Sequence, residues 1–262
     1  IGGSLMDYND VDEYKASQSD SGTSGNVNGS EAYKELNATD IYDLVGKRVR
    51  GSLLWMVFGL LITGAVGGYV LFSGSEFSAM AVQNYRVLLF VELGVVFAFS
   101  ALVQKASATT LRILFIVYAA LNGVTLSILG YIYTGESVIA VFLGTLVLFS
   151  VLAIYGYVTK EDLSKYRTYL MVGLIALVVM SIINVFLRSS QMDFILSIVG
   201  VVLFVIFTAY DVNRIKNQFT HSIVYEKEVE LLDKIEIAGA LTLYLDFINL
   251  FLYLLRLFGR RR

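Results

Sequence analysis

The sequence predicts an all-α integral membrane protein with seven transmembrane helices. Three observations carry that reading. Of the 262 residues, 56% are hydrophobic and only 16% are charged. A soluble domain is about 25% charged, so this chain lacks the polar surface that water demands. From Gly51 onward, apolar runs of membrane-spanning length follow one another with short polar breaks. None of these runs shows the apolar–polar alternation of a membrane barrel. Lipid has no water for orphaned amides, so the runs must be helices.

A bilayer core of about 30 Å needs about 20 apolar residues per helix. Runs that meet this fall at 51–73, 86–104, 110–133, 137–158, 167–188, 193–215 and 236–258. Ahead of them, residues 1–40 are acidic and rich in Ser, Gly and Asn, with only Lys15 and Lys34 opposing Asp7, Asp10, Asp12, Glu13, Asp20, Glu31, Glu35 and Asp40. Such a segment buries too little apolar surface to order itself, so a disordered tail is expected before a membrane domain at 45–262. Ile1 to Leu5, ahead of Met6, read as a cloning remnant, and no signal peptide is expected before the first run.

Orientation follows from Lys and Arg in the short loops. Lys47, Arg48 and Arg50 precede the first run, Lys105 and Arg112 follow the second, and Lys160, Lys165 and Arg167 follow the fourth. Arg214, Lys216, Lys227 and Lys234 follow the sixth, whereas the opposite loops hold only Arg86 and Arg188. The positive-inside rule then puts the N-terminus in the cytoplasm. Seven spans leave Arg256, Arg260, Arg261 and Arg262 on the far side. Two readings stay open: a true seventh span with a basic outer end, which the run's length favours, or a segment that re-enters and returns.

Composition also excludes chemistry. With no cysteine there are no disulfides, thiolate metal sites or cysteine nucleophiles. With no proline, any kink must come from Gly, Ser or Asn. The single His221 lies in a polar stretch and reads as plain surface. A net charge of −2, without a basic stripe, gives no footprint for nucleic acid.

Acids in the middle of the runs are the informative positions, because a central Asp costs about 2.5–3.5 kcal/mol on insertion scales. Glu92, Asp211 and Asp246 qualify, and no Lys or Arg lies at comparable depth. Arg214 stands one turn after Asp211 and is placed to pair with it. Thr242, Asp246 and Asn249 recur at i, i+4 and i+7, which gives the last helix one polar face. That face should point into the bundle, toward Asp211. Two buried carboxyls in contact share one proton, and the second ionisation is opposed, so the pair is a candidate pH-sensing gate. Its oxygens suit a hard cation such as Ca2+ in transit, although two carboxylates are too few for a tight cage. Counted from the run ends, Asp211 and Asp246 lie at unequal depths. They meet only if the last helix begins outside the bilayer, and Val224 to Lys234 is amphipathic enough to allow that. The alternative is that each Asp is capped separately.

Glu92 stays open between an access point for cations and a side chain that reaches water at the rim. Asn122 and Asn184 are expected to hydrogen-bond between helices, and Gly64, Gly67 and Gly68 to permit close packing.

The stretches LNGVTLSILGYIYTGESV (121–138), YGYVTKEDLSKY (155–166), FTAYDVNRIK (207–216) and ALTLYLDFINLFLYLLRLFG (240–259) resemble the Bax inhibitor family, in particular its bacterial branch. The last stretch is the most specific, and together they run over most of the membrane domain. The resemblance implies six helices wrapped around a central C-terminal helix. It also implies a pH-dependent Ca2+ leak gated by an aspartate pair matching Asp211 and Asp246, in a bacterial inner membrane. Ca2+ is then a permeant ion, with no tightly bound cofactor, and the partners are lipid, Ca2+ and protons. Two departures stand out. Ile128 occupies the place where relatives often carry proline after the Leu-Ser step, and only Lys105 lies where basic residues approach the pair in relatives.

Two other classes compete. A regulatory scaffold that conducts nothing is compatible with the same sequence. An intramembrane aspartyl protease needs Gly-x-Gly-Asp and a later Pro-Ala-Leu. Here Leu243, Tyr244 and Leu245 precede Asp246 and the chain has no proline, so no enzyme is expected. A retinal receptor needs a lysine deep in the last helix, and none follows Lys234.

Overall fold

The computed structural model describes residues 38–73, 83–225 and 228–262. The expected disordered tail lies, except for its last three residues, outside the described residues. Those three, Ala38 to Asp40, already belong to a helix.

Among the described residues seven long helices follow in order. They are α1 (Ala38–Phe72), α2 (Tyr85–Leu102), α3 (Ala108–Leu126), α4 (Gly135–Val158), α5 (Arg167–Leu187), α6 (Ser190–Tyr225) and α7 (Val229–Phe258). A single helical turn, Leu129–Ile132, follows α3, and a 3-10 turn, Leu163–Tyr166, precedes α5. Among the described residues there is no strand, only an isolated bridge between Tyr133 and Arg261. Six helices among the described residues are long and apolar enough to cross a membrane, whereas α2 offers a shorter apolar stretch, Phe90–Leu102. Large apolar side chains such as Leu54, Phe97, Val147 and Phe186 stand more than 60% exposed. Water would not tolerate so much apolar surface; lipid does.

Local chemistry sets the helix ends. Ser107 caps α3 by accepting from the Thr110 amide at 3.3 Å. α3 ends here without a proline. The Ser127 amide reaches back to Gly123, its hydroxyl donates to Val124 O at 2.6 Å, and the chain restarts as a new turn. At the end of α5, Arg188 takes a left-handed conformation (φ 51°), and Asn184 Oδ1 accepts from the Ser189 amide at 3.1 Å. Asn184 therefore stops its own helix instead of bonding to another, because its carbonyl-bearing side chain sits where orphan amides need an acceptor. Of the three glycines expected at a seam, only Gly67 is in one. A Cβ there would meet Gly123 O at 2.9 Å, whereas Gly64 and Gly68 face open space.

α7 packs against α1, α3, α4 and α6, while α2 lies on α3 and α5 lies on α6. In its most apolar window 61% of α7 is buried, against 11–39% in the other five spans. One apolar core joins α1, α3, α4, the C-terminal half of α6 and α7, with Phe99 of α2 reaching into it. A second joins α5 and the N-terminal half of α6, and reaches Leu250 of α7.

Both ends of α7 are tied. Near its start Asp233 accepts from Arg48 at 2.6 Å and Arg112 at 2.9 Å, Glu236 accepts from Arg48 at 3.0 Å, and Glu230 accepts from the Ala108 amide at 3.0 Å. At its other end the Arg260 amide donates to Ser137 Oγ at 2.9 Å, and the Thr134 amide donates to Arg260 O at 3.0 Å. Arg256 lies 3.8 Å from Asp193. The last segment is thus one unbroken helix that passes from one end of the bundle to the other. It does not re-enter and return.

Candidate functional site

Asp211 and Asp246 come together. The helices that carry them run past the ends predicted from hydropathy, since α6 continues to Tyr225 and α7 begins at Val229. Asp211 stands 14 residues before the end of α6 and Asp246 stands 17 residues after the start of α7. At 1.5 Å per residue these are similar heights, about 21 and about 26 Å from the turn. The unequal depths counted from the run ends therefore do not keep the two apart. Each residue is 5% exposed, and the two carboxyls lie within side-chain hydrogen-bonding reach of each other. Asp246 Oδ2 has no hydrogen-bond partner among the described residues. Arg214 Nη1 lies 3.6 Å from Asp211 Oδ1.

A cavity of about 760 Å³ reaches Asp211 from one end of the bundle. Ser100 of α2, Gln104 just beyond it, Arg214 and Gln218 of α6, Glu228 just ahead of α7, and Lys234 and Thr242 of α7 supply its polar wall, with Asp211 at its inner limit. Asp246 is not part of that wall, so it stands behind Asp211. In the neighbouring turns Leu243, Phe247 and Leu250 are wholly buried, and Phe247 meets Phe142 and Phe149 edge-on at 5.4 and 5.6 Å between ring centroids. The cavity thus holds titratable and polar groups at one end of the bundle, while tight aromatic packing surrounds the segment beyond Asp246.

The remaining predicted residues divide. Thr242 lines the cavity but donates to Ala238 O of its own helix at 3.0 Å, and Asn249 donates to Leu245 O at 2.8 Å. Neither donates to the pair. Lys105 is exposed and outside the cavity wall. Glu92 does not reach water at a rim. It is 7% exposed and lies on the α3 side of α2, beside Thr125. Asn122, expected to bond between helices, faces Tyr118 of its own helix, and its Oδ1 has no partner. His221 is exposed as expected, but on α6 instead of in a loop.

Sequence reasoning overlooked Arg48 and Arg112 as partners of Asp233, and Gln104 and Gln218 as cavity wall. The charges alone gave no signal, since each reads singly as a loop residue.

With this geometry in place, similarity to other proteins decides the family. The sequence profile described as "Inhibitor of apoptosis-promoting Bax1" matches residues 45–262. The chain belongs to the Bax inhibitor-1 family. It is 40% identical to the inner membrane protein YbhL of Escherichia coli over 210 residues, which is 79% of this chain and 89% of YbhL. A Borreliella burgdorferi protein is 38% identical over 221 residues, 82% of this chain and 94% of that protein. A Rickettsia prowazekii protein is 37% identical over 209 residues, covering 79% and 87% of the two chains. The match of this Bax inhibitor-1 family member covers every helix that builds the aspartate pair and its cavity.

Proposed function

We propose that the protein is a pH-sensitive cation leak, with Ca2+ as a permeant ion and the Asp211–Asp246 pair as its latch. The observation that carries this is the meeting of two buried carboxyls from neighbouring helices at the inner limit of a polar cavity. With one proton between them the carboxyls form a charge-assisted hydrogen bond that ties α6 to α7. Without it, two negative charges face each other in a poor dielectric and repel. Alkaline pH then loosens the latch and acid pH keeps it made. Arg214, at the mouth of the pair, offsets part of the repulsion. The tight aromatic packing around Phe247 is consistent with a closed state.

The setting follows from the same reading. α7 takes the central place, with α1, α3, α4 and α6 packed against it and α2 and α5 laid outside them, and α2 completes the seven spans. The N-terminus lies in the cytoplasm by the distribution of Lys and Arg. A bacterial inner membrane is its location, by likeness to YbhL. The paired carboxyls serve transport and not peptide hydrolysis, since Leu243 and Leu245 stand where the protease motif needs its two glycines.

The test is flux from the purified protein in liposomes. Ca2+ entering vesicles loaded with an indicator dye is followed from pH 5 to 9. A protein-dependent flux that rises with pH supports the reading. No flux above empty liposomes at any pH overturns it and leaves the non-conducting scaffold.

A further inference from the structure

We propose that Glu92, Asn122 and Thr125 form a binding site for a monovalent hard cation of sodium's class, in the seam between α2 and α3 and separate from the aspartate pair.

The sequence places Tyr118, Asn122 and Thr125 at i, i+4 and i+7 of α3, hence on one face. Glu92 of α2 meets that face: its carboxyl lies beside the Thr125 hydroxyl, and Tyr118, beside Asn122, is within electrostatic reach of it. Proximity has not produced well-aligned hydrogen bonds. Glu92 Oε1, Asn122 Oδ1 and Thr125 Oγ1 are all buried and lack a partner among the described residues. Glu92 is 7% and Asn122 6% exposed. Three orphaned oxygens in one seam are costly, because each has lost its water without gaining a partner.

An electropositive occupant removes that cost. A proton on Glu92 supplies one donor and the Thr125 hydroxyl another, each directed at a single oxygen. A cation attracts all three at once. The donors are all oxygen, with no nitrogen or sulfur ligand, which selects a hard ion. Charge selects its valence. Glu92 is the one carboxylate, and no ion pair reaches it among the described residues. A single positive charge leaves the site neutral. A divalent ion leaves one excess positive charge in a poor dielectric. The titratable groups that face Glu92 are Tyr118 of α3 and Tyr244 of α7. Tyr244 is already engaged with Thr63 Oγ1 at 2.6 Å, and Thr63 with Ala119 O at 2.9 Å. This network closes the seam toward α1 and α7.

The site makes sodium a ligand of the folded state, so sodium must stabilise it. The full chain in lipid nanodiscs is melted by circular dichroism while sodium chloride replaces N-methylglucamine chloride at constant ionic strength. The melting temperature is expected to rise saturably with sodium, and the half-saturating concentration to increase as pH falls and protons compete. Glu92→Gln abolishes the sodium response. Thr125→Val, close to isosteric, weakens apparent sodium affinity about tenfold and serves as the test should Glu92→Gln fail to fold. Asp211→Asn retains the response, which separates this site from the latch. An equal effect of both salts on the unaltered chain overturns the proposal, as does a sodium response that survives intact in Thr125→Val and Glu92→Gln. A neutral-acid infrared band that vanishes in Glu92→Gln and is insensitive to sodium assigns the site to a proton, and overturns it too.

Discussion

Arg214 approaches Asp211 to 3.6 Å from a side chain that is 48% exposed, whereas the aspartate side chain is 7% exposed. The guanidinium therefore sits at the water boundary of the buried pair. Its charge favours the ionised pair and so favours release of the latch. In Arg214→Gln that help is gone. The rise in Ca2+ flux with pH is expected to move to higher pH, by roughly one unit for a partly screened ion pair. A midpoint in liposomes that is unmoved or more acidic assigns Arg214 another role.

The pair itself is tested by an amide, which hydrogen-bonds but does not titrate. Asp211→Asn and Asp246→Asn are each expected to flatten the pH dependence of flux between pH 5 and 9. The double variant should add little, because the two residues act through one shared proton. Steep pH dependence in both single variants removes the shared-proton latch.

The sequence revealed the helices and this pair for related reasons. A run of 20 apolar residues has few alternatives to spanning a bilayer, and an acid at mid-run is too costly to be incidental. Helix ends were less legible. α1 begins at Ala38, well before Gly51, and α7 begins at Val229, ahead of Glu236. These extensions are polar and leave no mark in hydropathy; Arg48, Arg112 and Asp233 hold them by pairing across helices. Nor does an apolar run say which face a small residue occupies, so Gly67 at a seam could not be told from Gly64 in open space. The depth of Glu92 was lost likewise, because position along a helix does not reveal what faces it from the side.

Close approach of α1 and α3 gives a packing prediction. A Cβ on Gly123 would meet Thr63 O at 2.7 Å and Val66 Cβ at 3.0 Å. Backbone cannot move aside as a flexible side chain can, so Gly123→Ala forces the helices apart at a cost of about 1–3 kcal/mol. Gly64→Ala meets nothing within 4 Å and should be neutral or slightly stabilising by helix propensity. Melting of the two variants in nanodiscs checks this, and equal stability would remove the seam from the account.

Asp233 is the hub that joins three helices, since one carboxylate receives Arg48 of α1 on Oδ1 and Arg112 of α3 on Oδ2. The side chains are 20–34% exposed, so screening is incomplete and the pairs outrank ordinary surface bridges. Asp233→Asn keeps the shape and one acceptor but removes the charge, leaving two guanidinium groups close together. Arg48 retains Glu236 at 3.0 Å, which limits the damage, whereas Arg112 keeps only its stacking over Trp55, with the guanidinium carbon 5.8 Å from the ring centroid. The expected loss is about 1–2 kcal/mol, between exposed and buried pairs. It should shrink in high salt, where the repulsion between the two arginines is screened. Asp233→Asn with Arg112→Gln should recover part of the loss, because the uncompensated charge goes with the arginine. Melting of the single and double variants at low and high salt measures each part. A double variant less stable than Asp233→Asn alone would mean that Arg112 serves α3 by stacking on Trp55, and not by its charge.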